Sequence, residues 1–262
     1  EALSNQNFTT ATDTYNTAVG FLAGKLVTTG VQNTLIGGLA GDAITTGDYN
    51  VALGRSALST NTASNTNVAI GGQSLADFNV TTDTDTHNVA VGYATGAAMT
   101  TGVLNTLIGG LAGDALTTAD ENVTVGYNSL STNTKSFYNV AIGSRSLAAH
   151  NISSADTAGY NTAVGTAAGA AITTGINNTL IGGLSGDLMT TGNNNVGVGI
   201  SSISGGTVTG NDNTGVGSAA GFALSSGINN SFFGHDAGRT GSPGGNITSA
   251  NNTIVLGDDN VG

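Results

Sequence analysis

The chain has no cysteine, no tryptophan and one proline in 262 residues. Without cysteine there is no disulfide framework and no thiolate metal site. Charged residues make up 8%, against roughly 25% in an average soluble domain. The few charges are unbalanced, with 5 Lys and Arg against 16 Asp and Glu and a formal net charge of -11. Phosphate recognition needs clustered Lys and Arg, so this balance points away from nucleic acid and from anionic membrane surfaces. No stretch approaches the ~20 consecutive apolar residues of a membrane span, so no membrane insertion is expected. Aromatics are 5%, too few for a core built on large side chains.

What the chain does have is 42 Gly and 38% hydrophobic residues, mostly Ala, Val, Ile and Leu. That apolar content is too high to force disorder, and small apolar residues with glycine suit a narrow, tightly stacked core. Internal periods decide the architecture. The pattern Asn-x-x-(aliphatic)-Gly starts at Asn16, Asn33, Asn50, Asn67, Asn88, Asn105, Asn122, Asn139, Asn161, Asn178, Asn195, Asn213 and Asn230. A stretched copy follows at Asn252 (NTIVLG). Most spacings are 17 residues, and Asn16, Asn88 and Asn161 mark a longer period of 72 and 73. The segments GGLAGD at Gly37–Asp42 and Gly109–Asp114 and GGLSGD at Gly182–Asp187 keep the same longer period. Four coils therefore make a super-repeat whose fourth member is longer.

The expected fold is all-β, a repetitive β-solenoid (β-roll) of ~17-residue coils. Residues 1–15 read as a partial coil continuing from an absent N-terminal part. Residues 16–251 read as solenoid repeats in four-coil super-repeats, and 252–262 as the last coil and a junction to an absent C-terminal part. With the Asn as position 1, position 4 is aliphatic or Phe, position 5 is Gly and position 8 is Ala, Ser or Thr. The recurrent Thr-Thr-Gly at 28–30, 45–47, 100–102, 173–175 and 190–192 reads as a turn whose Gly takes positive φ. The stacked Asn side chains are expected to form an amide ladder. β-Branched residues favour buried strands, so position 4 is read as pointing inward. Position 3, as in Ala18, Leu35, Ala52, Leu107 and Leu180, would then form an outward apolar stripe. Such a stripe calls for burial against sister chains, and a parallel homotrimeric fibre segment is expected.

The repeat resembles two groups, the head repeats of trimeric autotransporter adhesins and the repeat regions of phage tail fibres. In the second group Asn252-Thr253-Ile254-Val255-Leu256-Gly257-Asp258 resembles the junction to an endosialidase-type chaperone domain. The resemblance implies a structural segment of a virion tail fibre or similar extracellular appendage, at the virion surface or outside the cell. Such a segment would act as a spacer or in host receptor binding and adhesion, with a host cell-surface glycan or protein as receptor. A bacterial trimeric adhesin head and an ice-binding solenoid are the alternatives.

No enzyme, cofactor or metal site is expected. The acidic pairs Asp83/Asp85, Asp120/Glu121 and Asp258/Asp259 have the residue type of glycosidase carboxylates, but solvated turns account for them. Asp42, Asp114 and Asp187 recur four coils apart and cannot share one Ca²⁺. His87, His150 and His235 lack metal-ligand spacing. The binding candidates lie in loops that break the period, at 77–87, 149–160 and 235–249, and at the aromatic pair Phe137-Tyr138 beside Lys135. The candidate receptor contacts are Phe78, Asp83, Asp85, His87, Phe137, Tyr138 and His150.

Overall fold

A computed structural model describes residues 1–152, 157–242 and 245–257. It shows a parallel β-solenoid with a three-residue strand in each coil and no helix among the described residues. The coils fall into two compact units, 1–125 and 126–262. In the first, β1 (Thr17–Val19), β2 (Thr34–Ile36), β3 (Val51–Leu53), β4 (Val68–Ile70), β5 (Val89–Val91), β6 (Thr106–Ile108) and β7 (Val123–Val125) pair in sequence order, all parallel. In the second, β8 (Val140–Ile142), β9 (Thr162–Val164), β10 (Thr179–Ile181), β11 (Val196–Val198), β12 (Thr214–Val216), β13 (Ser231–Phe233) and β14 (Ile254–Leu256) do the same.

The Asn ladder is present and is more branched than amide-to-amide bonding alone. Asn16 Oδ1 accepts the backbone N–H of Asn33 at 2.8 Å, while its Nδ2 donates to the Gly30 carbonyl in its own coil at 2.8 Å. One side chain thus closes its own coil and ties it to the next. Asn33, Asn50, Asn88, Asn161, Asn178, Asn195 and Asn213 repeat both bonds. Many add a direct amide bond, such as Asn178 Nδ2 to Asn161 Oδ1 at 3.1 Å. From Asn33 onward these side chains are buried, where a satisfied polar network fixes geometry and an unpaired group would be costly. The last coil departs from the sequence grid. β14 aligns Ile254 with Ser231, which puts Thr253 at position 1, and its N–H donates to Asn230 Oδ1. Asn252 sits one place earlier, so NTIVLG is a regular rung with Thr replacing Asn rather than a stretched one.

The strand faces are the reverse of the sequence reading. Position 3 points inward: Leu35, Ala52, Ala69, Ala90, Leu107, Ala141, Ala163, Leu180 and Phe232 are fully buried. Position 4 points outward, with Val19 59%, Leu53 41%, Ile108 39%, Ile181 41% and Leu256 65% exposed. Position 8, always Ala, Ser or Thr, is fully buried as well, and these small side chains leave room on the inner face for Leu or Phe at position 3 in some coils.

Position 9 shows how that room is shared. Where position 3 is Leu35, Leu180 or Phe232, position 9 of the same coil is Gly41, Gly186 or Gly238, and an added Cβ would stand 2.7, 2.8 or 2.5 Å from the large side chain. Gly24, Gly96 and Gly169 make way instead for Leu35, Leu107 and Leu180 of the following coil, at 2.6, 2.8 and 3.0 Å. Where position 3 is Ala52, Ala69 or Ala141, position 9 is Leu58, Leu75 or Leu147, each fully buried. Those leucines adopt φ of 51, 49 and 48°, a left-handed conformation costing roughly 1–2 kcal/mol per residue that core burial offsets. The four-coil super-repeat is therefore a packing cycle, with bulk alternating between positions 3 and 9.

Two glycine positions have different causes. At position 5, Gly37 and Gly54 have φ of 136 and 138°, and a Cβ would fall 2.5 Å from the next coil's carbonyl oxygen. The Gly of Thr-Thr-Gly does not take positive φ, contrary to the turn reading. Gly30, Gly102 and Gly175 are required because a Cβ would lie 2.5, 2.3 and 2.5 Å from the carbonyl of the coil above.

Candidate functional site

The outward strand face is the most regular surface of each unit. Positions 2 and 4 carry Thr17/Val19, Thr34/Ile36, Val51/Leu53, Val68/Ile70, Val89/Val91, Thr106/Ile108 and Val123/Val125 in the first unit. The second unit continues the chemistry, from Val140/Ile142 through Thr179/Ile181 to Ser231/Phe233 and Ile254/Leu256. No charged residue occupies either position in any of the strands, in a chain of net charge -11. Adjacent rungs of a sheet lie ~4.8 Å apart, so each unit presents an evenly ruled, uncharged strip in which aliphatic side chains at position 4 run beside Val, Thr or Ser at position 2 in most rungs.

The period-breaking loops leave the coil at two places rather than one. In the fourth and eighth coils Asn79 and Asn151 still bond to Thr100 and Thr173 of the next coil, so in the fourth coil the extra residues follow Asn79, while residues 153–156 of the 149–160 loop lie outside the described residues. In the thirteenth coil Ile247 is buried and Gly238 accepts its N–H, which places the insertion between them. Among the sequence candidates, Asp83, Asp85 and His87 are exposed, Tyr138 is 36% exposed and Phe137 is half-buried. Phe137 meets Tyr138 edge-on at 4.8 Å, and Tyr138 stacks on Tyr160 at 5.2 Å. Phe78 and His150 are corrections. Both are fully buried at the same core position of successive super-repeats, which removes them from the surface open to a partner.

His150 is the odd member of the core. Its Nε2 lies 3.2 Å from Ser136 Oγ, while Nδ1 is buried without a hydrogen-bond partner. Burial lowers its pKa to about 4, with the Thr173 backbone opposing the shift. Asp42 and Asp114 keep one buried carboxylate oxygen unpartnered, and burial raises the pKa of both. Asp187, their counterpart, accepts a bond from the Ser204 hydroxyl. No group of three metal-binding side chains occurs among the described residues. Two of the acidic pairs are partly accounted for by coil bonding. Asp83 and Asp85 accept from Asn65 Nδ2 at 2.8 and 3.3 Å, and Asp120 accepts the Val103 N–H at 2.7 Å. Asp258 and Asp259 lie outside the described residues. The Thr28, Thr45, Thr100 and Thr173 hydroxyls donate to carbonyls of the following coil, so they do not form a free hydroxyl array. No described helix is long and apolar enough to cross a membrane.

Comparison with protein-family models, with curated proteins and with solved structures finds no match.

Proposed function

We propose that the chain is a non-catalytic structural segment of an extracellular or virion-surface fibre, working as a parallel homotrimer whose strand faces pack against one another. The uncharged, β-branched strand face carries this reading. A surface that fits it along its length must share its ~4.8 Å rung spacing, and another copy of the same coil has that spacing. An apolar strip also gains by leaving water. The residues at position 3 that first suggested self-association are interior, and positions 2 and 4 take over their role. The spacer function follows from the stacking: within each unit the coils are bonded to one another through backbone and Asn side chains, so a unit's length is set by its coil number. Adhesion, where it occurs, would use the exposed loop residues Asp83, Asp85, His87, Phe137 and Tyr138.

The test is sedimentation velocity on the purified chain. The expected species has three times the 25.5 kDa chain mass. The double variant Ile70→Lys/Ile181→Lys should sediment as a monomer while keeping the wild-type β-sheet circular dichroism. A wild-type chain that stays monomeric up to high micromolar concentration overturns the trimer.

A further inference from the structure

The insertion of the thirteenth coil builds an open pocket of about 480 Å³ against the two preceding coils. Phe222, Ala223, Asp236, Arg239, Thr240 and Asn246 line it. The insertion is held by its own bonds. Ser242 Oγ accepts the Gly238 N–H, the Ser242 N–H donates to the Arg239 carbonyl, and the Ile247 N–H donates to the Gly238 carbonyl. Arg239 is fixed on two sides: its guanidinium carbon stands 4.7 Å from the Phe222 ring centroid, and Nη1 donates to Asp236 Oδ1 at 2.6 Å. His235 Nδ1 lies 3.5 Å from the other Asp236 oxygen. Gly205 lets the next coil approach closely at the pocket wall, because a Cβ there would collide with the Phe222 carbonyl.

We propose that this pocket binds a neutral pyranose sugar. A pyranose presents adjacent hydroxyls that each donate and accept. The pocket answers with an acceptor-only carboxylate, a donor-only guanidinium with further N–H groups beyond the one on Asp236, and an amide and a hydroxyl that do both. The Arg239–Asp236 pair carries no net charge, and a chain of net charge -11 disfavours an anionic ligand at long range. Phe222 is a positioning residue, since its ring carries the guanidinium. The volume lies within the usual range for small-ligand sites, about 300–1,000 Å³. The inference goes beyond the fibre reading and does not depend on it.

Ligand-observed NMR titration of the full chain tests it, with the methyl pyranosides of glucose, galactose and mannose, N-acetylglucosamine, and N-acetylneuraminic acid as the charged probe. Saturable binding of at least one neutral sugar, in the millimolar range, is expected. Arg239→Ala and Asp236→Asn should each weaken it about tenfold or more. Ala223→Trp should block it by filling the pocket while leaving the Arg–Asp pair in place. Unchanged thermal unfolding of Ala223→Trp separates blocking from misfolding. No binding of any neutral sugar, binding of the charged probe alone, or neutral-sugar binding untouched by all three substitutions would overturn the proposal. Strand-face variants that dissociate the trimer should leave sugar binding intact, so the two readings fail separately.

Discussion

At the scale of single residues, the coil tolerates strain in some places and forbids it in others. Leucines at φ near 50° are accepted at position 9 because their side chains fill the core. Position 5 has no such compensation. In Gly54→Ala the new methyl would stand 2.5 Å from the Gly71 carbonyl carbon and oxygen, on a residue held at φ 138°. Backbone cannot yield there without breaking the ladder on either side, so the substitution should destabilise the first unit by about 3–5 kcal/mol. Thermal denaturation followed by circular dichroism measures this. Gly183→Ala, where an added Cβ meets nothing within 4 Å, is the control and should be nearly silent.

His150 supplies a second residue-scale prediction. Its folded pKa of about 4 lies below the unfolded value of 6.5, so between those values the unfolded chain binds more protons. Stability is therefore full above about pH 6.5 and falls as the pH drops toward 4. The loss is on the order of 3 kcal/mol, from 1.36 kcal/mol per pH unit. His150→Phe copies Phe78, its counterpart one super-repeat earlier, and should remove this dependence. Urea midpoints of the two proteins measured between pH 7 and 4.5 should diverge steadily. Parallel curves would mean that the imidazole is not kept neutral by burial.

At the scale of the coil, much was legible in the sequence and one inference was inverted. Period, strand position, the Asn ladder and the tight position 8 all follow from residues repeating in one register. The face assignment failed because β-branching reports a strand and not which side of it is buried. Val and Ile at position 4 are strand formers that stand on the outward face. Ala at position 3 is interior because its coil places Leu58, Leu75 or Leu147 at position 9, or because Leu35, Leu107 or Leu180 of the next coil fills the gap. The signal was present as an exchange of bulk between positions 3 and 9, visible only when two positions are compared through the four-coil cycle. Other features could not be read locally. Thr253 replaces Asn at position 1, which only strand register reveals. The Thr-Thr-Gly glycines answer to a carbonyl one coil away, and not to their own φ. The Arg239 pocket joins residues from three coils, with no motif to announce it.

At the scale of the whole molecule, charge and apolar surface oppose each other. The net charge of -11 makes copies of the chain repel, while the strand face that would join them contains no charged group. Association through that face gains from apolar burial, which salt does not screen, and loses from like-charge repulsion, which salt does screen. The Debye length is about 30 Å at 0.01 M and about 8 Å at 0.15 M ionic strength, so added salt should remove much of the repulsion and leave the attraction. Raising NaCl from 0.02 to 0.5 M should therefore shift the sedimentation equilibrium toward the trimer. A surface assembled by ion pairs would respond in the opposite sense, and dissociation on adding salt would place the interface on the charged loops instead of the strands.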